Sequence, residues 1–300
     1  MSRVLTLKDY SSLINLLPIA FQAANKKINY DGIIRELTEY FNGPNSQYSR
    51  HSIKDQRAFI RRILTIRDPS SDDGRYSTHI YNLIDQILSY ERDYKKPHTQ
   101  AMNLSIKFKS LPYIRVWRGD ITTLFVDAIV NAANSGLLGC FQPTHLCIDN
   151  VIHAAAGPRL RDDCYTIMQE QRQSEPVGQA KITLGYNLPS KYVIHTVGPQ
   201  LNHGARVTEK DAQHLASCYE SCLNLAAEID TITSIAFSCI STGIFAFPAD
   251  HACQIAIETV INWFQHRSPN SKLSLVVFDV FSPEDEQRYI DRLKNICKSK

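Results

Sequence analysis

Three hundred residues, 43% hydrophobic and 21% charged with a formal net charge of +3, describe a soluble globular chain long enough for two domains of ordinary size and ill suited to disorder. The basic excess lies in residues 1–110, where pairs such as Lys26-Lys27 and Arg61-Arg62 are short and isolated, so no nucleic-acid partner is expected. No apolar run approaches the roughly 18 residues needed to cross a bilayer, and the opening MSRVLTLKDY lacks a basic-then-apolar signal with a cleavage site. A cytoplasmic location without membrane attachment is therefore expected, and the eight cysteines should be free, catalytic or metal-bound rather than paired.

Residues 1–95 read as helices. Ile80, Leu83, Ile84, Ile87 and Leu88 form one apolar stripe at helical spacing, and Phe59, Ile60, Ile63 and Leu64 form a shorter one. Gly43-Pro44 and the stretch from Pro69 to Gly74 should break these helices, and Lys95-Lys96-Pro97-His98 should begin a linker. The expected division is a small helical unit with its linker over 1–110 and a second domain over 111–300. No chemistry is legible in the first.

From about residue 113 the pattern changes to short runs rich in β-branched and aromatic residues: YIRVW, DAIVNA, KITLGY, KYVIHTV, SIAFSCI and LSLVVFDV. These alternate with helical segments near 149–172, 208–229, 249–266 and 283–298, which predicts an α/β domain with helices on both faces of a largely parallel sheet. Ligands bind such sheets beyond the carboxyl ends of the strands, and Asn131–Asn134, Gly198-Pro199 and Ser241–Phe245 all follow such ends.

Within the uncharged stretch between Asp127 and Asp149 stand Cys140, His145 and Cys147. Two thiolates and an imidazole are donors that zinc prefers, and three of them leave a tetrahedral position open. The alternative keeps both cysteines as small apolar residues. Asp149, at the start of an apolar helical run, reads as an N-cap. His153 and His195 read as satisfied core histidines, and Cys164, Cys218, Cys222, Cys239, Cys253 and Cys297 as packing residues. Farther on, Ser238 to Pro248 joins a strand to a helix through small and hydroxyl residues. Its amides could cradle a diphosphate, although ordinary strand–helix connections look similar.

Taken together, GDIT at 119–122, NAAN at 131–134, DNVIHAAAG at 149–157, VIHTVGP at 193–199, STGIFAFP at 241–248 and VVFDVFSPED at 276–285 resemble, in order, the motif set of macrodomains, the modules that bind ADP-ribose. GCFQPTHLC at 139–147 is similar to the loop of the zinc-dependent branch of that family, as is the helical extension that precedes the domain. The resemblance implies a three-layer α/β/α sandwich with a mixed, largely parallel central sheet.

The resemblance also implies roles. Asp120 would accept a hydrogen bond from the adenine amino group, with Ile121 beside it. Phe281 would stack on the ring, unless it is simply a core residue at the end of the last strand. The amides of Ser241, Thr242, Gly243, Ile244 and Phe245 would hold the diphosphate, Phe245 would pack on the distal ribose, and Asn134 would bind its hydroxyls. Cys140, His145 and Cys147 match the branch's zinc ligands. Zinc at the distal ribose could polarise hydroxyls or supply hydroxide near neutral pH, and Asp149 falls where hydrolytic members place a functional carboxylate. The implied activity is zinc-dependent removal of mono-ADP-ribose from an acidic side chain of a protein, with ADP-ribose as product. A lipoyl-carrier protein is one candidate acceptor by analogy with bacterial relatives. The alternatives are a non-catalytic ADP-ribose reader and a hydrolase of a small ADP-ribose derivative.

Overall fold

A computed structural model describes residues 3–17, 23–43, 47–71 and 75–298. Pro44 and the end of the expected breaker at 72–74 lie outside them. The described N-terminal helices are α1 (Leu7–Tyr10), α2 (Tyr30–Asn42), α3 (Ile53–Ile66) and α4 (Thr78–Lys95). Helices α2 to α4 bury Ile34, Leu37, Ile60, Ile84 and Ile87 in a small core of their own; the α4 stripe expected from the sequence is buried in it, and the α2 residues join it unannounced. Ser52 and Ser77 begin α3 and α4 by accepting the amides of Asp55 and Ile80, the usual satisfaction of orphan helix donors.

Next come β1 (Thr99–Gln100), β2 (Lys107–Phe108), β3 (Leu111–Arg118), β4 (Leu124–Phe125) and β5 (Ala128–Ala133). They are followed by α5 (Ile148–Ala156), α6 (Pro158–Gln171), β6 (Ala180–Leu184), β7 (Tyr192–Val197) and α7 (Glu209–Ala227). The chain ends with β8 (Ser234–Phe237), α8 (Ala249–His266), β9 (Leu275–Val280) and α9 (Pro283–Lys298). Seven strands form one sheet in the order β2-β3-β9-β8-β5-β7-β6. The five inner strands are mutually parallel, and β2 and β6 are antiparallel edges. Both faces are covered. Residues of α7, α8 and α9 pack on one face around Tyr219, Phe237 and Phe278, and those of α5 and α6 on the other around Ile129, Val193 and Val277. That is why β7 and β9 are buried along their whole length and read as continuous apolar runs.

Because the inner strands run the same way, their carboxyl ends share one edge. The loops after β3, β9, β8, β5 and β7 therefore stand side by side in that order.

Two local expectations need correction. The helical segment 149–172 is two helices, broken at Gly157, whose φ of 94° lies in the left-handed region. Glycine alone takes that conformation without strain, a Cβ there would come within 2.9 Å of Leu88 Cδ1, and Pro158 then suits the first turn of α6. The N-cap of α5 is Cys147, whose Sγ accepts from the Asn150 amide at 3.4 Å; Asp149 lies inside the helix and turns inward.

The helical unit packs against the α5–α6 side. Asp85 of α4 accepts from Arg159 at 2.9 Å and from Asn187 at 2.7 Å, Arg67 donates to the carbonyl of Pro158 and pairs with Asp162, and Arg161 donates to carbonyls at the end of α3.

Candidate functional site

The loop after β3 begins at Asp120, the N-cap of a short 3-10 turn over Ile121–Thr123, whose carboxylate accepts the Thr122 amide at 3.0 Å. Burial works against the ionised form, but hydrogen bonds from Thr122 and the charge of Lys96, 3.1 Å away, hold its carboxyl below the usual range. Ile121 is buried beside it. Phe281, just past β9, is 88% exposed, which removes the core reading and leaves a free aromatic face at the same end of the edge. Asp279 of β9 faces Asp120 from inside; burial, then the charge of Asp120, pushes its carboxyl well above the ordinary value.

After β8 the chain makes the expected tight loop. Ser241 and Ala246 have φ of 65° and 53°. The loop closes on itself through the Ala246 amide to the Gly243 carbonyl and the Phe247 amide to the Ser241 carbonyl, and the Leu201 amide ties in Phe245. Ser241 lies over Gly198, where a Cβ would stand 2.0 Å from the serine Oγ. Gly243 has no need of a left-handed φ, and a Cβ on it would meet nothing within 4 Å. It borders open space that a ligand can occupy, with Ile244 exposed next to it.

At the end of β5 the asparagines gather a carboxylate. Asp149 is buried, with Oδ1 accepting from Asn131 Nδ2 at 2.8 Å and Oδ2 from Asn134 Nδ2 at 3.3 Å. Burial pushes its carboxyl up to about 6, against the pull of the Asn131 hydrogen bond and the Arg161 charge. Asn134 also donates to the Gly139 carbonyl at 3.0 Å, fixing the start of the next loop. There Cys140 Sγ lies 3.2 Å from His145 Nδ1, and donor atoms of Cys140, His145 and Cys147 all fall within 4.8 Å of one another. Tetrahedral zinc at the usual bond lengths would hold sulfur and nitrogen about 3.6 Å apart, so this donor set fits such an ion with small adjustment. Burial, and then the nearness of Cys140, pushes the Cys147 thiol up to about 11, while the Asn150 amide pulls the other way; a cation is what would draw both sulfurs into thiolate form.

The structure thus brings Asn134, Asp149, Cys140, His145 and Cys147 together, with Asp120, Ile121 and Phe281 at the far end of the edge and Ser241 to Phe245 between them. His195 is satisfied by Asn131 and Thr183, as expected. His153 is not: both ring nitrogens lack a hydrogen-bond partner. Burial, then the Arg161 charge, keeps it neutral by lowering its pKa well below normal, so its 3.5 Å approach to Asp149 is not a charged pair. His153, Cys164 and His195 also bring donor atoms together, but both His195 nitrogens are taken.

Sequence reasoning passed over Asn131 as an individual residue, although it lay inside the NAAN motif, and missed Lys96. Nothing local signals Lys96, because its partner is 24 residues away across the domain junction.

Fold and site together define an α/β sandwich whose candidate site residues stand on neighbouring loops along the carboxyl edge of its sheet. The profile of the Macro domain family matches residues 130–256. The chain is 34% identical to the Oceanobacillus iheyensis macrodomain with ADP, over 62% of this chain and 93% of that one, with a TM-score of 0.55. It therefore belongs to the macro domain family. It is also similar to the Trypanosoma brucei macrodomain solved in complex with ADP-ribose, at 26% identity and a TM-score of 0.55 over 90% of this chain and 97% of that one. Among curated proteins, it is 58% identical over 174 residues to a Protein-ADP-ribose hydrolase of Treponema medium, 58% of this chain. A protein of the same description from Staphylococcus aureus strain MRSA252 is 54% identical over 176 residues, 59% of this chain. The match spans 64% of the length of each of these curated relatives. No helix among the described residues is long and apolar enough to cross a membrane.

Proposed function

We propose that the chain is a cytoplasmic, zinc-dependent hydrolase that removes mono-ADP-ribose from Asp or Glu side chains of a protein. One observation carries the reading: the three-donor loop Cys140, His145, Cys147 abuts the buried Asp149 carboxylate through Asn134. Such a loop next to a fixed carboxylate suits turnover better than retention, because three donors leave a position open. The printed names of the Treponema and Staphylococcus relatives support hydrolysis of protein-linked ADP-ribose.

In this reading Phe281 and Asp120 take the adenine, with Lys96 giving up part of its hold on Asp120. The Ser241–Phe245 amides take the diphosphate, so the distal ribose arrives beside Asn134 and Asp149. Asn131 fixes the Asp149 carboxylate, which leaves that group aimed at ribose hydroxyls or a water rather than free to rotate. Cys140, His145 and Cys147 would hold a zinc ion, which would supply Lewis acidity at that ribose. Water adds at the anomeric carbon, the acceptor carboxylate leaves with the bonding electron pair, and the water proton passes to solvent. A carboxylate is a good leaving group, so positioning supplies most of the rate.

Incubation with an acceptor protein ADP-ribosylated on a carboxylate, a lipoyl-carrier protein first, is the test. About one zinc per chain by elemental analysis is expected, with release of ADP-ribose that a chelator stops and zinc restores. Cys140→Ala and His145→Ala should lose turnover while keeping most ADP-ribose affinity. Full activity in a metal-free preparation would remove zinc from the reaction, and tight binding without any release would make the chain a reader.

A further inference from the structure

Arg161, on α6, is 4% exposed. A buried guanidinium is costly unless its donors and charge are answered; the Arg161 Nε has no hydrogen-bond partner among the described residues, and the answering contacts fall on Nη1 and the guanidinium face. On one side Nη1 donates to the carbonyls of Leu64, Thr65 and Arg67, at 3.0, 3.0 and 2.7 Å. These include last-turn carbonyls of α3, which have no partners within their own helix and sit at its negative end. On the other side the guanidinium carbon lies 4.7 Å from the centroid of the Phe141 ring, the residue directly after Cys140. Its Nη2 faces the backbone of Gly139, where a Cβ would be 3.2 Å away, and Gly139 has a φ of 79°. The end of α3 is held independently: Arg67 donates to the Pro158 carbonyl at 3.1 Å and to Tyr81 Oη at 3.0 Å, besides pairing with Asp162. One side chain of the α/β domain is thus gripped by the helical unit and in turn backs the Gly139-Cys140-Phe141 turn.

We propose that Arg161 is a positioning residue through which the helical extension sets the conformation of the Cys140–Cys147 loop. The link to metal geometry rests on the reading of that loop given above; the link between α3 and the loop does not. It assigns the extension a part in the site that the sequence of residues 1–110 does not announce. Lysine is a poor replacement for this arginine, because one ammonium group cannot sit at the α3 carbonyls and also cover the Phe141 ring, as the planar guanidinium does.

The test uses the full chain with Arg161→Lys and, separately, Phe141→Leu. Hydrogen exchange followed by mass spectrometry on metal-free protein should show residues 137–147 exchanging at least about tenfold faster in both variants, equivalent to about 1.4 kcal/mol of lost local protection. Residues 62–68 should loosen only in Arg161→Lys, and residues 192–197 and 241–247 should keep wild-type protection in both. With cobalt(II) as the probe metal, the visible absorption band should shift in both variants. ADP-ribose affinity should stay within about twofold of wild type while turnover falls about tenfold or more. Unchanged exchange over 137–147 in Arg161→Lys would overturn the proposal, as would a uniform rise that includes 192–197, which marks general destabilisation. If Arg161→Lys does not fold, Phe141→Leu decides alone: loop exchange at the wild-type rate would overturn it. Should the chain bind no metal, the exchange arm still reads the coupling, so the two readings fail separately.

Discussion

Gly243→Glu separates folding from binding with unusual clarity. A Cβ at Gly243 meets nothing within 4 Å and the residue needs no left-handed φ, so the folded chain can accept a side chain there. Gly243→Ala should leave stability unchanged or raise it by about 0.4–1 kcal/mol, by narrowing the unfolded ensemble. A carboxylate in the same place points into the space assigned to the diphosphate. At roughly 4 Å from one phosphate charge it costs about 1 kcal/mol in bulk water and about 4 kcal/mol at an effective dielectric of 20. Gly243 is exposed, but a ligand bound over it would exclude water from the contact, so the higher figure is the better guide, and about three orders of magnitude in ADP-ribose affinity should be lost. Alanine, adding bulk without charge, should lose less. Calorimetric titration with ADP-ribose, repeated with adenosine and at raised salt, reads the effect: adenosine affinity should be preserved, and salt should recover part of the loss. A folded Gly243→Glu chain that binds ADP-ribose as wild type does would show that the diphosphate is held elsewhere.

Because Cys147 caps α5, Asp149→Asn should cost little stability, yet single-turnover release should slow about 100-fold or more; a clear drop in unfolding temperature with release intact would return Asp149 to a structural part. Asp163 is a different kind of carboxylate. Burial pushes it up to about 7, against the hydrogen bond that Tyr186 donates and with help from the Asp162 charge. A folded-state pKa above the unfolded one means that the ionised form weakens the fold, so Asp163 by itself contributes a decline in stability as pH rises from about 4 to about 7, which then levels off. Asp163→Asn should remove that decline and gain about 2–4 kcal/mol at pH 8, with no gain at pH 4. Denaturant unfolding at both pH values checks this, and parallel curves for the two chains would refute it.

What the sequence disclosed follows from how local each signal is. Short runs rich in β-branched and aromatic residues marked all five parallel strands of the sheet, four of them because burial on both faces leaves little else those positions can be. The phosphate-loop candidate was legible for a different reason: small and hydroxyl residues between a strand and a helix permit the tight loop that a bulky apolar run would not. The N-cap at Asp149 misled, because a carboxylate two residues inside a helix has the same local pattern as one just before it; only the inward pull of Asn131 and Asn134 tells them apart. Lys96 on Asp120 and Arg161 under Phe141 were invisible, since each joins segments that no periodicity connects.

The gathering of five strand ends on one edge has a consequence for how such a protein can change. Each part of the candidate site hangs from its own strand, and the loop from 139 to 147 is pinned at one end by Asn134 and at the other by the cap that Cys147 makes on α5. Between those anchors the loop can be exchanged for one of different chemistry without disturbing the sheet. If the ligand lies as proposed, selection can rewrite the chemistry at the distal ribose while the loops that take the nucleotide are inherited unchanged, and a grafted loop, if supplied with a partner for Arg161, is the natural unit for redesign.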